Sequence, residues 1–299
     1  MSKPFVSAFA HRASLLAAFV TLAGSSASAA PPRDTIVVGR CTPVNHLAAT
    51  KQAGFAFFEI GVQRYARLSD TEFAALRKEV KQLGVKVPVS NSFVPSDIKL
   101  VGPEANLDIQ NAYITVALSR AKQLGVKTVV FGSGGARKLP DGFPRDQALY
   151  QLIDFGRRAA AEAKKHGITI AVEPLNRGET NIFNTAAEAL DYVAAVDRPN
   201  FALMVDYYHM LKENEGFDVI LRAGKRLKHV HIAAPDRSFP RTPDEANYAM
   251  LFETLRKIGY RGGVSVEAND EPQFDEVAPK TIAMLQDLLA ASRVPKPTP

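Results

Sequence analysis

Residues 123–131, Gln-Leu-Gly-Val-Lys-Thr-Val-Val-Phe, join the end of a helical segment to a run of β-branched and aromatic residues. A glycine that closes a helix and is followed by an apolar residue is typical of the joint between a helix and the next strand. Similar joints recur at residues 82–86, 166–168 and 258–260. The chain is therefore predicted to alternate helices with parallel strands.

Short strand-like runs alternate with longer helical segments from residue 36 onward, and several runs are continuously apolar, as in parallel strands that helices cover on both faces. Strands are predicted at residues 36–38, 57–60, 87–90, 128–131, 168–173, 202–206, 228–232 and 263–267. Eight such units indicate an α/β protein with a single (β/α)8 barrel over residues 36–293 and a tail over 294–299. An open doubly wound sheet is the alternative, but residues 39–42, Gly-Arg-Cys-Thr, lack the glycine-rich turn expected after its first strand.

Caps and periodicity locate several of the helices. Ser69 and Glu72 form a capping-box pattern at the start of one helix. Helices are also predicted over residues 106–124 and 145–166, and Thr-Pro-Asp at 242–244 indicates a further helix start. In the 106–124 segment, the residues at helical spacing are Ile109, Tyr113, Val116 and Arg120.

The first 29 residues differ in kind from the rest. Lys3 and Arg12 precede an apolar stretch at residues 15–23, and Ala-Ser-Ala at 27–29 forms a small-x-small cleavage signal. This pattern predicts a secretory signal peptide, since the apolar stretch is shorter than the roughly 20 residues that span a bilayer. We expect cleavage near Ala29, export to the periplasm or the medium, and no membrane attachment afterwards. An N-terminal amphipathic helix is the alternative.

The composition, with 46% hydrophobic and 23% charged residues among 299, is that of a globular protein with a large core. Its basic residues are scattered and form no stripe interleaved with aromatics, so nucleic acid is not an expected partner. Cys41 is the single cysteine and excludes an internal disulfide. We interpret it as a buried small side chain and not as a nucleophile.

Four strand ends in the second half of the chain carry metal-ligating residue types. They are Glu173, Asp206, His231 and Glu267, each about one βα unit from the next. Because the C-terminal ends of barrel strands meet at one mouth, these four side chains can converge on one point. Any one of them alone could be a salt-bridged or capping residue. Together they indicate a functional site.

Three facing carboxylates at the ends of apolar strands would repel one another, and a divalent cation compensates their charge most simply. Three oxygen ligands and one imidazole favour one Mn²⁺ ion, with Co²⁺, Mg²⁺ or Zn²⁺ as alternatives. His229 lies on the same side of its strand as His231 but nearer the N-terminal end. We expect it to pack one layer below the site.

At these residues the sequence resembles the sugar phosphate isomerase/epimerase superfamily, the xylose isomerase-like TIM barrels, and its motifs are most similar to those of ketose 3-epimerases. The motifs are Glu-Pro-Leu-Asn-Arg-x-Glu at 173–179, Asp-x-x-His-Met at 206–210 and His-x-His-(x)5-Arg at 229–237. Each is short, but they are specific in combination. The resemblance covers residues from about 36 to 290.

The resemblance implies that Glu173 and Glu267 bind the metal and also act as acid and base, with Asp206 and His231 as the other ligands. Residues expected on the substrate side are His209, Arg237, Glu179, Asn91 and Glu59. Glu59 lies where relatives often carry a glutamate with a structural role. Solvent-exposed alternatives remain for three of them: a helix start for His209, a surface charge for Arg237 and a turn for Glu179. Asn91 is included because it ends a strand at the same mouth.

The resulting hypothesis is a metal-dependent sugar isomerase or epimerase that abstracts a proton next to a carbonyl and forms an enediolate. A lyase on the same scaffold, either a dehydratase or a 3-keto-glycoside β-eliminase, is the alternative, followed by a non-catalytic secreted sugar-binding protein. The related endonuclease IV chemistry needs histidines on strands 3 and 4, which end instead in Ser90-Asn91 and Phe131-Gly132. The glycine-rich stretch 131–135 is interpreted as a loop over the mouth. The expected partner is a small carbohydrate, and a homo-oligomer is an open alternative.

Overall fold

The structure, a computed structural model, describes residues 36–292. Its eight parallel strands form a closed barrel in chain order, with β8 hydrogen-bonded back to β1. The strands, β1 to β8, are Val37–Cys41, Phe57–Glu59, Val89–Ser90, Thr128–Phe131, Thr169–Val172, Phe201–Asp206, Leu227–Ile232 and Gly263–Val266. The predicted (β/α)8 barrel is confirmed. The predicted signal peptide, residues 1–29, and the tail, residues 294–299, lie outside the described residues and stay predictions.

Helices of very different lengths connect the strands. In chain order, α1 to α11 are Leu47–Gln52, Val62–Ala66, Asp70–Leu83, Leu107–Leu124, Gly134–Arg137, Arg145–His166, Ala186–Val196, Tyr207–Lys212, Asp218–Ala223, Tyr248–Lys257 and Phe274–Ala291. The predicted helix at 145–166 has the predicted bounds, and Ser69 and Glu72 form the capping box at the start of α3. In the part of the chain that the structure describes, no helix combines the length and apolar character needed to cross a bilayer.

Glycines close the helices where the recurring sequence joint predicts it. Gly84, Gly125 and Gly167 follow α3, α4 and α6 with φ values of 62°, 89° and 67°. These values lie in the left-handed region, which glycine adopts without steric strain. The residue after Gly125, Val126, then donates its N–H to the carbonyl of Ala121 and is fully buried. Each joint thus ends a helix and turns the chain toward the next strand.

The barrel interior contains a small apolar cluster formed by Phe57, Val89, Val130, Ala171 and Met204. The Phe57 ring lies so close to the backbone of Gly39 and Gly263 that a Cβ at either position would overlap it. The ring therefore fills the space between β1, β2 and β8. Glu59, two residues further along β2, lies nearer the C-terminal mouth, where the polar residues gather.

The predicted helix at 106–124 is found as α4, and one other helix prediction needs correction. Ile109 and Val116 on α4 are 54% and 44% exposed. Their helical spacing predicts the helix correctly, but these two residues do not lie on its buried face. That face instead includes Ile114 and Leu118, because α4 packs between α2 and α6. Residues 242–244 do not open a helix. Instead α10 begins at Tyr248, after Asn247, whose side chain accepts a hydrogen bond from the N–H of Met250.

Candidate metal centre and active site

The four strand-end residues meet at the mouth of the barrel. Glu173 and Glu267 directly follow β5 and β8, while Asp206 and His231 lie at the ends of β6 and β7. One possible ligand atom from each lies within 4.8 Å of those of the other three. Asp206 and His231 are fully buried and Glu173 nearly so. The structure thus brings together the set that the sequence singled out.

Two atoms of this cluster lack a partner. Glu173 Oε1 and His231 Nδ1 are buried and have no hydrogen-bond partner among the described residues. His231 Nδ1 lies 3.4 Å from Glu173 Oε1 and 3.3 Å from Glu267 Oε2. Buried polar atoms are rarely left unpaired in proteins. An imidazole nitrogen and carboxylate oxygens that converge without partners fit the divalent cation that the sequence predicts.

Burial and mutual repulsion act on the carboxylates of this cluster. Burial raises the pKa of Asp206 to about 7, although the Arg237 guanidinium acts in the opposite direction. Burial also raises the pKa of Glu173. Burial would likewise raise the pKa of Glu267, but His231 and Arg237 hold it at about 2. A bound cation would favour the ionised form of all three, so the electrostatics agree with a metal site.

Glu59 lies behind His231 and holds its imidazole. Nε2 of His231 is 3.1 Å from Glu59 Oε1 and 3.2 Å from Oε2. Nε2 of His229 and the Ser265 hydroxyl also bond to Oε2, at 3.0 and 2.7 Å. A carboxylate that accepts the Nε2–H of a histidine leaves the Nδ1 lone pair free to bind a metal.

Glu59 also lines the second cavity, and the substrate contact expected of it stays a prediction. Its side chain is fully buried, and both of its oxygens are bonded to neighbouring side chains. Burial by itself would raise the pKa of Glu59, but the His231 and His229 imidazoles hold it well below its ordinary range. These contacts support the structural role that the resemblance also implies for Glu59. His229 packs one layer below the site, as expected.

Side chains from two other parts of the mouth hold both carboxylate oxygens of Glu267. Asn91, which follows β3, donates its Nδ2–H to Oε1 at 2.9 Å. Arg237 donates from Nη2 to Oε2 at 2.7 Å. The first oxygen is thus anchored from the β3 side and the second from the β7–α10 loop. These two bonds fix the orientation of the carboxylate.

Arg237 lies at the mouth, and the surface-charge alternative for it is wrong. Its Nη1 lies 3.3 Å from Asp206 Oδ2, and its guanidinium stacks over the Tyr208 ring at 4.5 Å. Its φ of 67° puts a non-glycine residue in the left-handed region, which is uncommon and marks a constrained turn. The carbonyl of Arg237 accepts from the N–H of Asn269 at 2.8 Å, and this bond holds the turn. Arg237 therefore links the Asp206 and Glu267 carboxylates.

His209 is also part of the mouth, since only 1% of it is exposed. Its Nε2 lies 3.6 Å from Asp206 Oδ2, and its Nδ1 lies 2.8 Å from Asn176 Nδ2. Burial and the nearby Arg237 lower the pKa of His209 to about 3, so its imidazole is neutral near pH 7. Glu179 is 44% exposed and accepts from Asn176 Nδ2 at 3.2 Å. It lies at the rim, 3.9 Å from His209 Nδ1.

An open cavity of about 320 Å³ lies over the cluster. Its wall contains Glu173, Glu179, Arg237, Glu267 and Asn91, together with Gln63, Ser92, Val94, Ser96, Ser133, Gly134, Gly135 and Leu175. A second cavity, of about 480 Å³, shares Gln63, Asn91 and Ser92 with the first and extends toward Arg64 and Arg67. The site therefore opens onto a groove with polar walls.

Residues 47–288 match the family described as the xylose isomerase-like TIM barrel. The chain belongs to this family.

Several curated relatives of this xylose isomerase-like barrel are ketose 3-epimerases. An L-ribulose 3-epimerase from Methylomonas sp. is 37% identical over 250 residues, which cover 81% of this chain and 84% of the relative. A D-psicose 3-epimerase from Agrobacterium fabrum is 30% identical over 236 residues, which cover 74% and 78% of the two chains. These relatives support an enzyme of the sugar epimerase class.

Solved structures have the same fold. An L-ribulose 3-epimerase aligns with a TM-score of 0.75 at 22% identity, covering 87% of this chain and 96% of its own. A 3-keto-D-glucoside 4-epimerase from E. coli aligns with a TM-score of 0.72 at 22% identity, covering 85% and 100%. At these identities the comparison shows the fold alone.

Three residues near the site of this xylose isomerase-like barrel were missed or misread in the sequence. Cys41 is partly exposed, and its Sγ lies 3.7 Å from His231 Nε2, so it lines the second cavity and is not enclosed in the core. Asn176 lies within the motif at 173–179, but that motif did not show its contacts with His209 and Glu179. Arg137 follows the stretch interpreted as a loop and is fully buried behind Glu173. No sequence pattern indicated it.

Proposed function

We propose that this protein is a divalent-metal-dependent sugar epimerase that removes and returns a proton on a carbon next to a carbonyl. The observation that carries the proposal is the convergence of Glu173, Asp206, His231 and Glu267 on one point beneath an open cavity. The relatives named 3-epimerases support this chemistry. Two carboxylates at one reacting carbon can act as a base and an acid in turn.

The two glutamates differ in how they are held. Glu173 Oε1 has no hydrogen-bond partner among the described residues, and burial raises the pKa of this carboxyl. An unpaired, partly desolvated carboxylate is suited to accept a proton from carbon. Glu267 is oriented through both oxygens by Asn91 and Arg237. One glutamate takes the proton and the other returns it on the opposite face of the carbon.

The metal would be held by carboxylate oxygens of Glu173, Asp206 and Glu267 and by Nδ1 of His231. When bound, the ion supplies positive charge that stabilises the negative charge developing on the substrate oxygens. Arg237 and the neutral His209 lie beside Asp206 and can hydrogen-bond substrate hydroxyls. We propose Mn²⁺, with Co²⁺, Mg²⁺ or Zn²⁺ as alternatives, because three oxygens and one nitrogen form the set. Metal analysis of the purified protein tests this choice.

The second cavity favours a second candidate, a lyase acting on 3-keto-glycosides. The two adjoining cavities, of about 320 and 480 Å³, extend the groove beyond the four-residue cluster, and ligand pockets of about 300–1,000 Å³ hold drug-sized molecules. A β-elimination begins with the same proton abstraction and then expels a leaving group. The same four ligands, two of which are the acid–base glutamates, serve both reactions, so the products must distinguish them.

Product analysis by NMR tests both candidates. Mn²⁺-loaded protein is incubated with L-ribulose, with D-psicose and with a 3-keto-glucoside. An epimer with all carbons retained supports the proposal, whereas release of the aglycone with an unsaturated sugar supports the lyase. Saturable sugar binding without any turnover would contradict both and indicate a binding protein.

We also propose that residues 1–29 direct export to the periplasm or the medium. The supporting observation is the apolar stretch followed by Ala-Ser-Ala. N-terminal sequencing of protein recovered outside the cytoplasm should begin near Ala30. An intact Met1 on a cytoplasmic protein would contradict the proposal.

A further inference from the structure

A fully buried guanidinium lies behind Glu173. Arg137 ends the short helix α5 and is 0% exposed. Within the described part of the chain, no carboxylate forms an ion pair with it, and its Nε has no hydrogen-bond partner. Burial lowers the pKa of Arg137 to about 10, so the group stays charged near pH 7. An unpaired buried charge is costly, which calls for an explanation.

The guanidinium binds the backbone where two strands reach the mouth. Nη2 donates to the carbonyl of Glu173 at 2.8 Å, and Nη1 donates to the carbonyl of Phe131 at 3.1 Å. Phe131 is the last residue of β4, and its β5 partner, Val172, immediately precedes Glu173. Arg137 thus links the two strand ends just beyond their last paired residues.

Two aromatic rings hold the guanidinium in place. Its central carbon lies 5.8 Å from the Phe131 ring centroid and 5.7 Å from that of Phe183. Contacts of this kind between arginine and aromatic rings are attractive and help to orient the planar group. The guanidinium is fully buried, so bulk solvent does not reach it. The geometry is therefore that of a rigid clamp.

The same segment also touches the carboxylate of Glu173. A Cβ at Gly132 would overlap Glu173 Oε2, so the carboxylate packs directly against the bare backbone of this glycine. Residues 131–137 therefore contact Glu173 at two points. Arg137 binds its backbone carbonyl, and Gly132 packs against its side-chain carboxylate. The glycine-rich stretch is thus more than a loop over the mouth.

We propose that Arg137 is a positioning residue that holds Glu173 in its reactive place through the backbone carbonyl. The inference rests on the proposed function, since it assumes that the Glu173 carboxylate takes part in proton transfer and metal binding. Displacing a catalytic group by about 1 Å can lower a rate about 100-fold. The loss of Arg137 would free the end of β5 and let the carboxylate shift.

Arg120 offers a matched control. Its Nη1 donates to the carbonyls of Tyr65 and Leu68 at 2.9 and 2.6 Å, and its guanidinium lies 4.9 Å from the Phe73 ring. Like Arg137, it binds backbone carbonyls and is largely buried, but it also pairs with Asp70 at 2.8 Å and holds the end of α2, away from the site. If replacing Arg137 lowers kcat only by destabilising the fold, replacing Arg120 should lower kcat to a similar degree.

The experiment compares Arg137→Met, Arg137→Lys and Arg120→Met in the Mn²⁺-loaded full chain. For Arg137→Met, kcat should fall about 100-fold while KM changes less than about 3-fold. Arg137→Lys should be intermediate, because an ammonium keeps the charge but lacks the planar fork that spans two carbonyls. Arg120→Met should lower Tm and leave kcat within about 2-fold of the wild type. Equal losses of kcat at both positions, or wild-type kcat in Arg137→Lys and Arg137→Met, would overturn the inference.

A second readout does not depend on turnover. Co²⁺ titration followed by visible absorption reports the ligand geometry and the affinity of the site. A changed spectrum and at least about 10-fold weaker binding in the Arg137 variants alone would support the inference even if the wild type epimerised no sugar. In that case the proposed function fails and the positioning role stands. An unchanged spectrum and affinity would overturn the role. If Arg137→Met does not fold, Arg137→Lys decides.

Discussion

Glu59 Oε1 lies 3.1 Å from Nε2 of His231, on the opposite side of the imidazole from the unpaired Nδ1. With a metal bound, Glu59 would accept the Nε2–H and leave the Nδ1 lone pair of His231 directed at Glu173 and Glu267. In proteins, a carboxylate behind a histidine ligand is worth about 10–100-fold in metal affinity. This one contact connects the interior of the barrel with its mouth.

Replacing Glu59 with Gln should weaken Mn²⁺ binding about 10–100-fold, because a neutral amide no longer holds the Nε2–H of His231 with a full charge. Isothermal titration calorimetry on the metal-stripped protein measures the change. Glu253→Gln, at an exposed position on α10, is the matched control and should bind as the wild type does. Wild-type affinity in Glu59→Gln would show that the contact does not orient the ligand.

Glu173→Gln and Glu267→Gln should each lower the rate of epimerisation about 100- to 10,000-fold, because an amide cannot accept the proton from carbon. Steady-state kinetics on metal-saturated protein measure the loss. The circular dichroism spectrum and Tm serve as controls for folding. A variant that keeps near-normal turnover on a verified substrate would remove that glutamate from the mechanism.

Gly132→Ala should lower kcat about 100-fold, since the new Cβ would occupy the place of Glu173 Oε2 and force the carboxylate to move. Kinetic assays of the metal-loaded variant measure the effect. Gly216→Ala is the control, because nothing lies within 4 Å of a Cβ built at Gly216. If both variants retain wild-type kcat, the Glu173 carboxylate does not need its observed position.

Much of this site was accessible from the sequence because the barrel places every strand end at one mouth. The strand spacing alone therefore predicts that Glu173, Asp206, His231 and Glu267 converge. The contact between Glu59 and His231 is different, because it joins β2 to β7 across the barrel interior. Such a pairing depends on the size and tilt of the closed sheet, which residue patterns along one strand do not encode.

Arg137 and the exposed face of α4 also escaped prediction, for different reasons. An arginine next to glycines is ordinary on a surface, and only the fold shows that its guanidinium is enclosed by Phe131 and Phe183. On α4, apolar residues occur on more than one side, so the packing of α2 and α6 decided which side is buried. In both cases tertiary packing overrode the local pattern.

Metal binding should stabilise the protein in a pH-dependent way. Burial raises the pKa of Asp206 to about 7, so the folded metal-free protein binds a proton that the unfolded chain releases above its ordinary value of 3.8. The metal-free protein should therefore lose stability as the pH rises from about 4 through 7. A metal must displace this proton, so its stabilising effect should be larger at pH 8 than at pH 6.

Thermal unfolding with and without Mn²⁺ at the two pH values measures this difference. At one fixed free Mn²⁺ concentration, 100 times the Kd at pH 8, the stabilisation should be about 2.7 kcal/mol at pH 8 and smaller at pH 6. Asp206→Asn removes the titrating group and serves as the comparison, in which the metal-free protein should depend less on pH. A larger Mn²⁺ effect at pH 6 than at pH 8 would contradict the prediction.

The most direct test of the proposed chemistry is deuterium incorporation during turnover. Mn²⁺-loaded protein is incubated in D₂O with L-ribulose and with D-psicose, and carbon 3 of substrate and product is followed by NMR. We expect epimerised product that carries one deuterium on carbon 3, with no exchange in Glu173→Gln. A folded, metal-saturated protein that incorporates no deuterium into these ketoses or into a 3-keto-glucoside would contradict proton abstraction at this site.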